Sequence, residues 1–326
     1  MSREQIASSA TTPAVERASP PVGVGETFTV SALHVLGAVK IGAAVIGGIT
    51  AQDHGLDTTI RKEATSGELQ SRIQSIVAQK ASPTFTTLDI STALTACGSL
   101  GLLLTSVGTP VALAMYAAAK AQGAAIAANG HKSYTYNNGL LIPKTLSCSH
   151  QGDAQLSYAA LPIYDGVNGI VVVGENATLP TIAGDNRWTI KSVSLGGATI
   201  GAIGQAVNVS IDFGIQAASE GALSDIYDSR TFISAIEPTI TVTSTAIPAL
   251  AALLGASGAA SIILRKRVDG GTFATGAGSE LTLAGTGLAT FTKPFGASGN
   301  QRGEMSIQAH LKFDGTNAPI TATLST

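Results

Sequence analysis

The chain has 326 residues, enough for two domains of ordinary size that each bury a core. Only 12% of the residues are charged and the formal net charge is −2, which argues against a protein that grips nucleic acid, because phosphate binding needs clustered Lys and Arg. So few charges indicate that much of the surface meets other protein rather than water. Cys97 and Cys148 lie in unrelated contexts and predict buried free thiols.

Residues 1–25, which make up most of the segment 1–29, are polar and contain Pro13, Pro20 and Pro21 without an apolar period. They predict an extended N-terminal arm, which either orders against a neighbouring subunit or is an idle tail. Two later apolar stretches, 26–51 and 94–119, are interrupted by Gly, Pro, Ser or Thr. We therefore expect no membrane insertion.

Two parts of the remaining chain have similar sequences. Residues 155–168 and 304–317 align at one offset of 149, and both alternate apolar and other residues before an Asp-Gly-x-Asn turn. Upstream, Gly139 matches Gly287 and Pro83 matches Pro238, at offsets of 148 and 155. We interpret 30–180 and 181–326 as two tandem modules; the alternative is a chance alignment of small residues.

A succession of short strands with Gly-rich turns predicts a mainly β fold of sandwiches or barrels. Residues 207–215 alternate most clearly, and strands are also expected at 83–90, 111–119, 188–195, 238–245 and 261–268. Residues 91–97 and 248–254 predict one short helix in each module, because Pro248 suits a first helical turn and Gly98 and Gly255 suit helix ends.

Two charged stretches interrupt this pattern. Residues 53–81 contain Leu69, Ile73, Ile76 and Val77 at helical spacing, so they predict either a short amphipathic helix or a long excursion between two strands. In the second module, 216–230 occupies the corresponding place and is expected to be a solvated or interfacial loop.

The search for catalytic and ligand-binding motifs finds none. The five histidines are scattered, there is no phosphate-binding loop or nucleophile elbow, and no carboxylate pair stands out. We predict a protein that is not an enzyme and holds no cofactor or metal.

The order of features resembles the tail-tube (major tail) proteins of long-tailed bacteriophages. The resemblance lies in the β-rich start, the charged excursion, residues 83–90 running into a short helix, and residues 139–143 leading to a hairpin that ends at 164–168. It implies β-sandwich or barrel modules whose hairpins join those of neighbouring subunits in an intermolecular β-barrel, with rings stacked into a hollow tube. A doubled chain implies three chains per ring with pseudo-sixfold symmetry.

The resemblance also implies partners and a location. The partners are other copies of the chain, tape-measure, tail-terminator and baseplate or tip proteins, and duplex DNA in passage; the location is the virion tail, assembled in the host cytoplasm. A lumen that lets DNA slide should carry few cations. The candidate lumen-facing residues are Asn208, Ser210, Asp212, Gln155 and Ser157.

Two other classes of protein remain open. The chain could be a virion-surface or fibre protein made of two adhesin-like sandwiches, although its aromatic content of 5% disfavours that class. It could also be a tube subunit of a secretion or gene-transfer machine, which sequence does not separate from a phage tail.

Overall fold

A computed structural model of the protein describes residues 33–64, 70, 73–97, 105–106, 109–110, 112–120, 126–182, 184, 186–200, 207–221, 225–268, 272–297, 302–313, 315–316 and 318–326. The predicted N-terminal arm, the helical positions Leu69 and Gly98, and parts of the second Asp-Gly-x-Asn turn lie outside these residues. Within them the fold is mainly β, with 21 strands and two short helices. No helix in these ranges has the length and apolar character needed to cross a membrane.

The first half of the chain contributes eleven strands and one helix. They are β1 (Leu33–Ile41), β2 (Ala44–Ile46), β3 (Ile49–Glu63), β4 (Ile73–Thr87), α1 (Ile90–Ala96), β5 (Thr105–Ser106), β6 (Thr109–Pro110), β7 (Leu113–Lys120), β8 (Lys132–Tyr136), β9 (Gly139–Cys148), β10 (Gln155–Pro162) and β11 (Val172–Glu175).

The second half contributes ten strands and one helix. They are β12 (Arg187–Leu195), β13 (Ala198–Ile200), β14 (Val207–Asp212), β15 (Ile215–Glu220), β16 (Arg230–Ile236), β17 (Thr239–Ser244), α2 (Ile247–Ala251), β18 (Ser257–Arg267), β19 (Glu280–Gly296), β20 (Glu304–Leu311) and β21 (Ile320–Leu324).

The same order of strand pairing occurs in both halves. In the first half, one sheet runs β11-β8-β7-β1-β2 and a second set of strands runs β9-β10-β4-β3. In the second half, β21-β19-β18-β12-β13 repeats the first order, and β19-β20-β17-β14 repeats the second. The single long strand β19 takes part in both sets, because its first part pairs with β18 and its last part with β20, where the first half has the separate strands β8 and β9.

The two four-stranded sets join into one sheet. Strand β14 pairs with β9, so that eight strands run in the order β3-β4-β10-β9-β14-β17-β20-β19. We call this the central sheet. The side chains on one of its faces, such as Phe85, Tyr158, Leu146, Ile211 and Ile307, are at most 2% exposed and belong to one apolar core that continues through both halves. That core lies between the central sheet and the strands of the other two sets.

Local irregularities repeat with the pairing. The register of β9 against β10 shifts between Ser157 and Tyr158, and that of β19 against β20 shifts between Phe291 and Lys293, at the matching place. A Cβ atom on Gly139 would collide with the carbonyl of Leu161, and one on Gly287 with the carbonyl of His310. Glycine is therefore needed at both positions for the close approach of the neighbouring strand.

The short helices confirm two predictions. Helix α1 starts at Ile90, one residue before the predicted start, and α2 has Pro248 in its first turn, where the missing N–H leaves no helical hydrogen bond unmade. Gly255 lies four residues beyond the end of α2 with a φ of 73°, a conformation that suits glycine. Both helices bury apolar residues, Ala93 and Leu94 in α1 and Leu250 in α2.

Three expectations need correction. Neither expectation for 53–81 is right, because most of this stretch lies in β3 and β4, which pair as one long hairpin. The expected loop at 216–230 contains strands β15 and β16, which pair with each other. The strand expected at 207–215 ends at Asp212, because Gly214 has a φ of 59° and its N–H donates to Asp212 Oδ1 over 2.9 Å, which turns the chain.

Candidate functional site: the polar face and open edges of the central sheet

One face of the central sheet is polar over most of its width, and we call it the polar face. Its side chains point away from the apolar core because neighbours along a strand alternate between faces. Directly opposed pairs link them from strand to strand, as Ser157 lies opposite Thr145, Thr145 opposite Asp212 and Asp212 opposite Thr239. Its members between β4 and β20 include Thr84, Thr86, Gln155, Ser157, Thr145, Ser147, Asn208, Ser210, Asp212, Thr239, Thr241, Thr243, Ser306, Gln308 and His310.

The five candidate lumen residues all lie on this face. Asn208, Ser210 and Asp212 are on β14, while Gln155 and Ser157 are two strands away on β10. Four are exposed and Ser157 is partly buried. The structure thus brings together residues from two distant parts of the sequence; whether they line a lumen depends on assembly.

Several polar groups of this face hydrogen-bond one another. Thr145 Oγ1 and Ser157 Oγ are 2.7 Å apart, Thr243 Oγ1 donates to Ser306 Oγ over 2.9 Å, and Gln308 Nε2 donates to Thr239 Oγ1 over 3.0 Å. Hydroxyl groups engaged with their neighbours need no external partner. The face is hydrophilic without presenting a cluster of strong binding groups.

The joint between the two halves is formed by β9 and β14. Four residue pairs are in register, from Thr145 opposite Asp212 to Cys148 opposite Val209, and the Phe213 N–H donates to the Lys144 carbonyl over 3.0 Å. Leu146 and Ile211, opposite each other, are both fully buried beneath the joint. The two halves therefore share backbone hydrogen bonds as well as a core.

The hairpin of β15 and β16 extends this joint. The connection between its strands rests on the first half, where Ile226 O accepts from Gln79 N over 2.9 Å and Asp228 O accepts from Tyr164 N over 2.8 Å. The Tyr164 and Tyr227 rings stack with centroids 5.6 Å apart. Aromatic stacking and two backbone hydrogen bonds fix the hairpin against the first half.

A carboxylate strengthens this contact. Asp228 Oδ2 lies 3.0 Å from Lys80 Nζ and also accepts a hydrogen bond from the Ser219 hydroxyl. Burial raises the pKa of Asp228, but the hydrogen bonds from Ser219 and Lys80 and the charge of Lys80 outweigh it and lower the pKa below the usual value. Asp228 is therefore ionised when the hairpin is docked at neutral pH.

Among the described residues, both ends of the central sheet are open. At one end β3 pairs with β4 along one side and has no strand on its other side among the described residues. At the other end the last part of β19, from Thr290 to Gly296, pairs with β20 alone within the same described ranges. Unpaired edges are a template for pairing with another chain.

Apolar side chains lie exposed near these open ends. Ile60 and Ile76 face each other across the β3–β4 hairpin and are 51% and 49% exposed. Phe313, which follows β20, is 60% exposed, whereas Tyr164 at the matching place of the first half is covered by Tyr227. Large exposed apolar groups beside open edges are typical of a surface that another molecule covers.

His54, near the base of the β3–β4 hairpin, contacts two tyrosines of β8. Its ring lies 4.1 Å from the Tyr134 ring, centroid to centroid, and its Nδ1 is 3.0 Å from the Tyr136 hydroxyl. Burial lowers the pKa of His54, and the nearby Asp53 carboxylate opposes the shift without cancelling it. The ring is neutral at physiological pH.

The remaining reactive groups of the described residues are scattered or buried. Within the described part of the chain, no three His, Cys, Asp or Glu side chains lie together as metal ligands would. Cys97 is buried, and burial raises the pKa of its thiol to about 12. A cleft of about 330 Å³ beside β12 and β18 is lined by three cations. Arg267 lies 3.2 Å from Asp153, Arg265 stacks over Phe273, and Lys191 forms an ion pair with Glu280.

Comparison with known proteins adds no family. No protein-family model matches the chain, and no curated protein matches it.

Sequence reasoning missed the residues that hold the β15–β16 hairpin against the first half. Tyr164, Lys80 and the adjacent pair Tyr227 and Asp228 come from three places in the chain, and no spacing or motif connects them. The only available signal was the charge of Asp228 within the stretch 216–230, which was expected to be solvated or interfacial.

Proposed function

We propose that this protein is the tail tube subunit of a long-tailed bacteriophage, which polymerises as stacked rings into a hollow conduit for DNA. The observation that carries the proposal is the central sheet, which has eight strands, one polar face and, within the described part of the chain, an open edge at each end. A sheet of this kind is completed by copies of itself, because closure into a barrel removes every exposed edge.

The joint of β9 and β14 supports closure of a ring by further copies of the chain. Strand β14 takes the same place in the second half as β3 takes in the first, and it pairs with β9, the counterpart of the last part of β19. The joint is therefore head to tail, with different edges meeting. Head-to-tail joints repeat from unit to unit and generate rings when the rotation between units closes.

The repeated pairing order supports two units per chain, and the pseudo-sixfold ring is what the resemblance to tail-tube proteins implies. Each chain brings two four-stranded units, so a ring of six units needs three chains. We propose three chains per ring with pseudo-sixfold symmetry. Tape-measure, tail-terminator and baseplate or tip proteins are the expected partners, and the virion tail is the expected location.

The polar face fits the lumen of such a ring. It is built mostly from Ser, Thr, Asn and Gln, whose hydroxyl and amide groups hydrogen-bond one another. Its charges include Asp212 and the ion pair of Lys293 with Glu304, whose atoms are 2.8 Å apart. Because duplex DNA is held mainly through cations on its phosphates, a surface of this kind lets it slide.

Electron microscopy and mass measurement of the purified protein test the proposal. At high protein concentration, negative-stain images should show rings or tubes with a central hole, and native mass spectrometry should show a ring of three chains. A compact monomer at every concentration contradicts the proposal. Closed assemblies without a central hole favour the fibre or surface class instead.

A matched pair of variants makes this test specific. Ile60→Lys combined with Ile76→Glu replaces the exposed apolar pair of the hairpin with opposed charges, which remain compatible across two strands. This variant should stay folded and lose assembly. The control Val167→Lys changes a residue that is 82% exposed in a turn, and it should assemble like the unmodified protein.

A further inference from the structure

The joint inside the chain provides a template for the joint between chains. On the β3 side, Asp53 lies opposite Thr84 in the way that Asp212 lies opposite Thr239. On the β19 side, Lys293 lies opposite Ser306 in the way that Thr145 lies opposite Ser157. The internal joint places Thr145 opposite Asp212, so its equivalent between chains involves Lys293 and Asp53.

Resting on the tube function proposed above, we propose that the last part of β19 in one copy pairs antiparallel with β3 of the next copy, with Lys293 opposite Asp53. The neighbouring residues follow from the same template. The Phe213 N–H donates to the Lys144 carbonyl inside the chain, so the His54 N–H donates to the Thr292 carbonyl between copies. The interaction surface is a second copy of this chain in one defined register.

The charges of the two edges support this register. Lys293 and Asp53 are both exposed, and they carry opposite charges at the positions that the template places together. Opposite charges directly across two antiparallel strands stabilise the pairing, and like charges oppose it. Inside the chain the same place holds the neutral Thr145, so only the joint between copies contains this charge pair.

A proline on the edge of β19 limits pairing with other strands in other registers. Pro294 follows Lys293 and has no N–H to offer, which is a common protection of exposed edge strands. A second shift of register lies between Lys293 and Gly296, where β9 shows none. The proposed register is therefore anchored at Thr292 and Lys293, before that shift.

The geometry suits a disulfide cross-link. Since the Phe213–Lys144 pair is hydrogen-bonded, the adjacent pair Asp212–Thr145 is of the non-hydrogen-bonded type, with Cα atoms about 4.5 Å apart. The pair of Asp53 and Lys293 inherits that geometry. A distance of this size lies within the range of about 4.4–6.8 Å that disulfides span.

Cysteine pairs test the register. The double variant Asp53→Cys with Lys293→Cys should give, under oxidation, covalent dimers and trimers on denaturing gels without reductant. Mixing the two single variants should give covalent dimers only. The control pair Thr145→Cys with Asp212→Cys should close within one chain whether or not rings form. Ala51→Cys with Lys293→Cys, displaced by two residues on the same face, should cross-link less.

Hydrogen exchange of the unmodified protein provides a second measurement. The His54 amide should exchange at least about tenfold more slowly in rings than in monomers, because pairing between copies buries its hydrogen bond. The Phe213 amide, which is bonded within the chain, should be protected to the same degree in both states.

The outcomes separate the register from the function. Rings that form without the 53–293 cross-link and without new protection of His54 overturn the register and leave the tube proposal standing. Stronger cross-linking of the 51–293 pair overturns the register as well. A protein that forms neither rings nor cross-links between chains overturns both.

Discussion

The two long hairpins of the central sheet have the same place in the two halves and opposite surroundings. The first, β3 with β4, runs for 15 residues in each strand and keeps Ile60 and Ile76 exposed. The second is divided by the bend at Gly214, and its outer part, β15 with β16, rests on the first half through Tyr227 and Asp228. We call them the free hairpin and the docked hairpin. The free hairpin receives the docked one on β4, at Gln79 and Lys80, and its β3 edge pairs with no further strand among the described residues. The difference indicates that the hairpin position is a docking element.

The largest expected effect compares the two hairpins at their inner strands. Ile211 on β14 and Gln52 on β3 hold equivalent positions, opposite Ile240 and Phe85, but Ile211 is fully buried at the joint and Gln52 is partly exposed at the open edge. Ile211→Ala should lower the free energy of unfolding by about 3–5 kcal/mol. Gln52→Ala should lower it by less than about 1 kcal/mol. Urea unfolding followed by the fluorescence of Trp188, the only tryptophan, measures both.

The next effect concerns the bend. Gly214 has a φ of 59° and a Cβ there would overlap the Glu237 carbonyl, whereas a Cβ on the equivalent Gly55 would meet the Ser82 hydroxyl, which can rotate away. Gly214→Ala should destabilise the protein by about 3 kcal/mol, combining backbone strain and overlap. Gly55→Ala should cost less than about 1 kcal/mol. Equal losses in urea unfolding would mean that the bend is not specific to the docked hairpin.

A smaller expected effect is the pH dependence of the free energy of unfolding through Asp228. Because the pKa of Asp228 is lowered in the folded protein, its contribution is present above the unfolded pKa of about 3.9 and is lost as pH falls through the folded value. Asp228→Asn should remove at most about 1 kcal/mol at pH 7, since Lys80 is largely exposed. The variant and the wild type should converge near pH 2–3. Lys80→Met is the matched control and should show the same convergence.

The smallest effect lies at the base of the free hairpin. Since burial lowers the pKa of His54, its contribution to stability is full above the unfolded pKa of about 6.5 and is lost as pH falls through the folded value. His54→Phe installs the residue that the second half has at Phe213 and removes this dependence. Thermal unfolding at pH 7.5 and 5.0 should show a drop for the wild type that is smaller in the variant. A drop of the same size in both would exclude His54 as its cause.

The sequence predicted the features that depend on local pattern. Alternation along 155–162 and 304–311 predicted strands with one buried face, and Pro248 with Gly255 predicted a short helix. The correspondence of Gly139 to Gly287 was also visible in the sequence, and both glycines allow a neighbouring strand to approach closely. These features were accessible because a few adjacent residues determine them.

The features that the sequence did not predict depend on contacts between distant residues. Nothing local shows that Thr145 meets Asp212, or that Tyr164 meets Tyr227. The helical spacing of Ile76 and Val77 was misleading because both lie in a strand, where the register shift between Thr59 and Ile60 leaves Val77 without an opposite residue on β3. The bend at Gly214 was missed because the alternation of apolar residues continues through it to Ile215.

Cryo-electron microscopy of the assembled protein tests the central claim most directly, by showing which strand lies beside the open edge of β3. The account predicts that this neighbour is the last part of β19 from another copy, and that three copies close one ring around a polar lumen. A β3 edge covered by a segment of its own chain, or paired with β3 of a second copy, would contradict it.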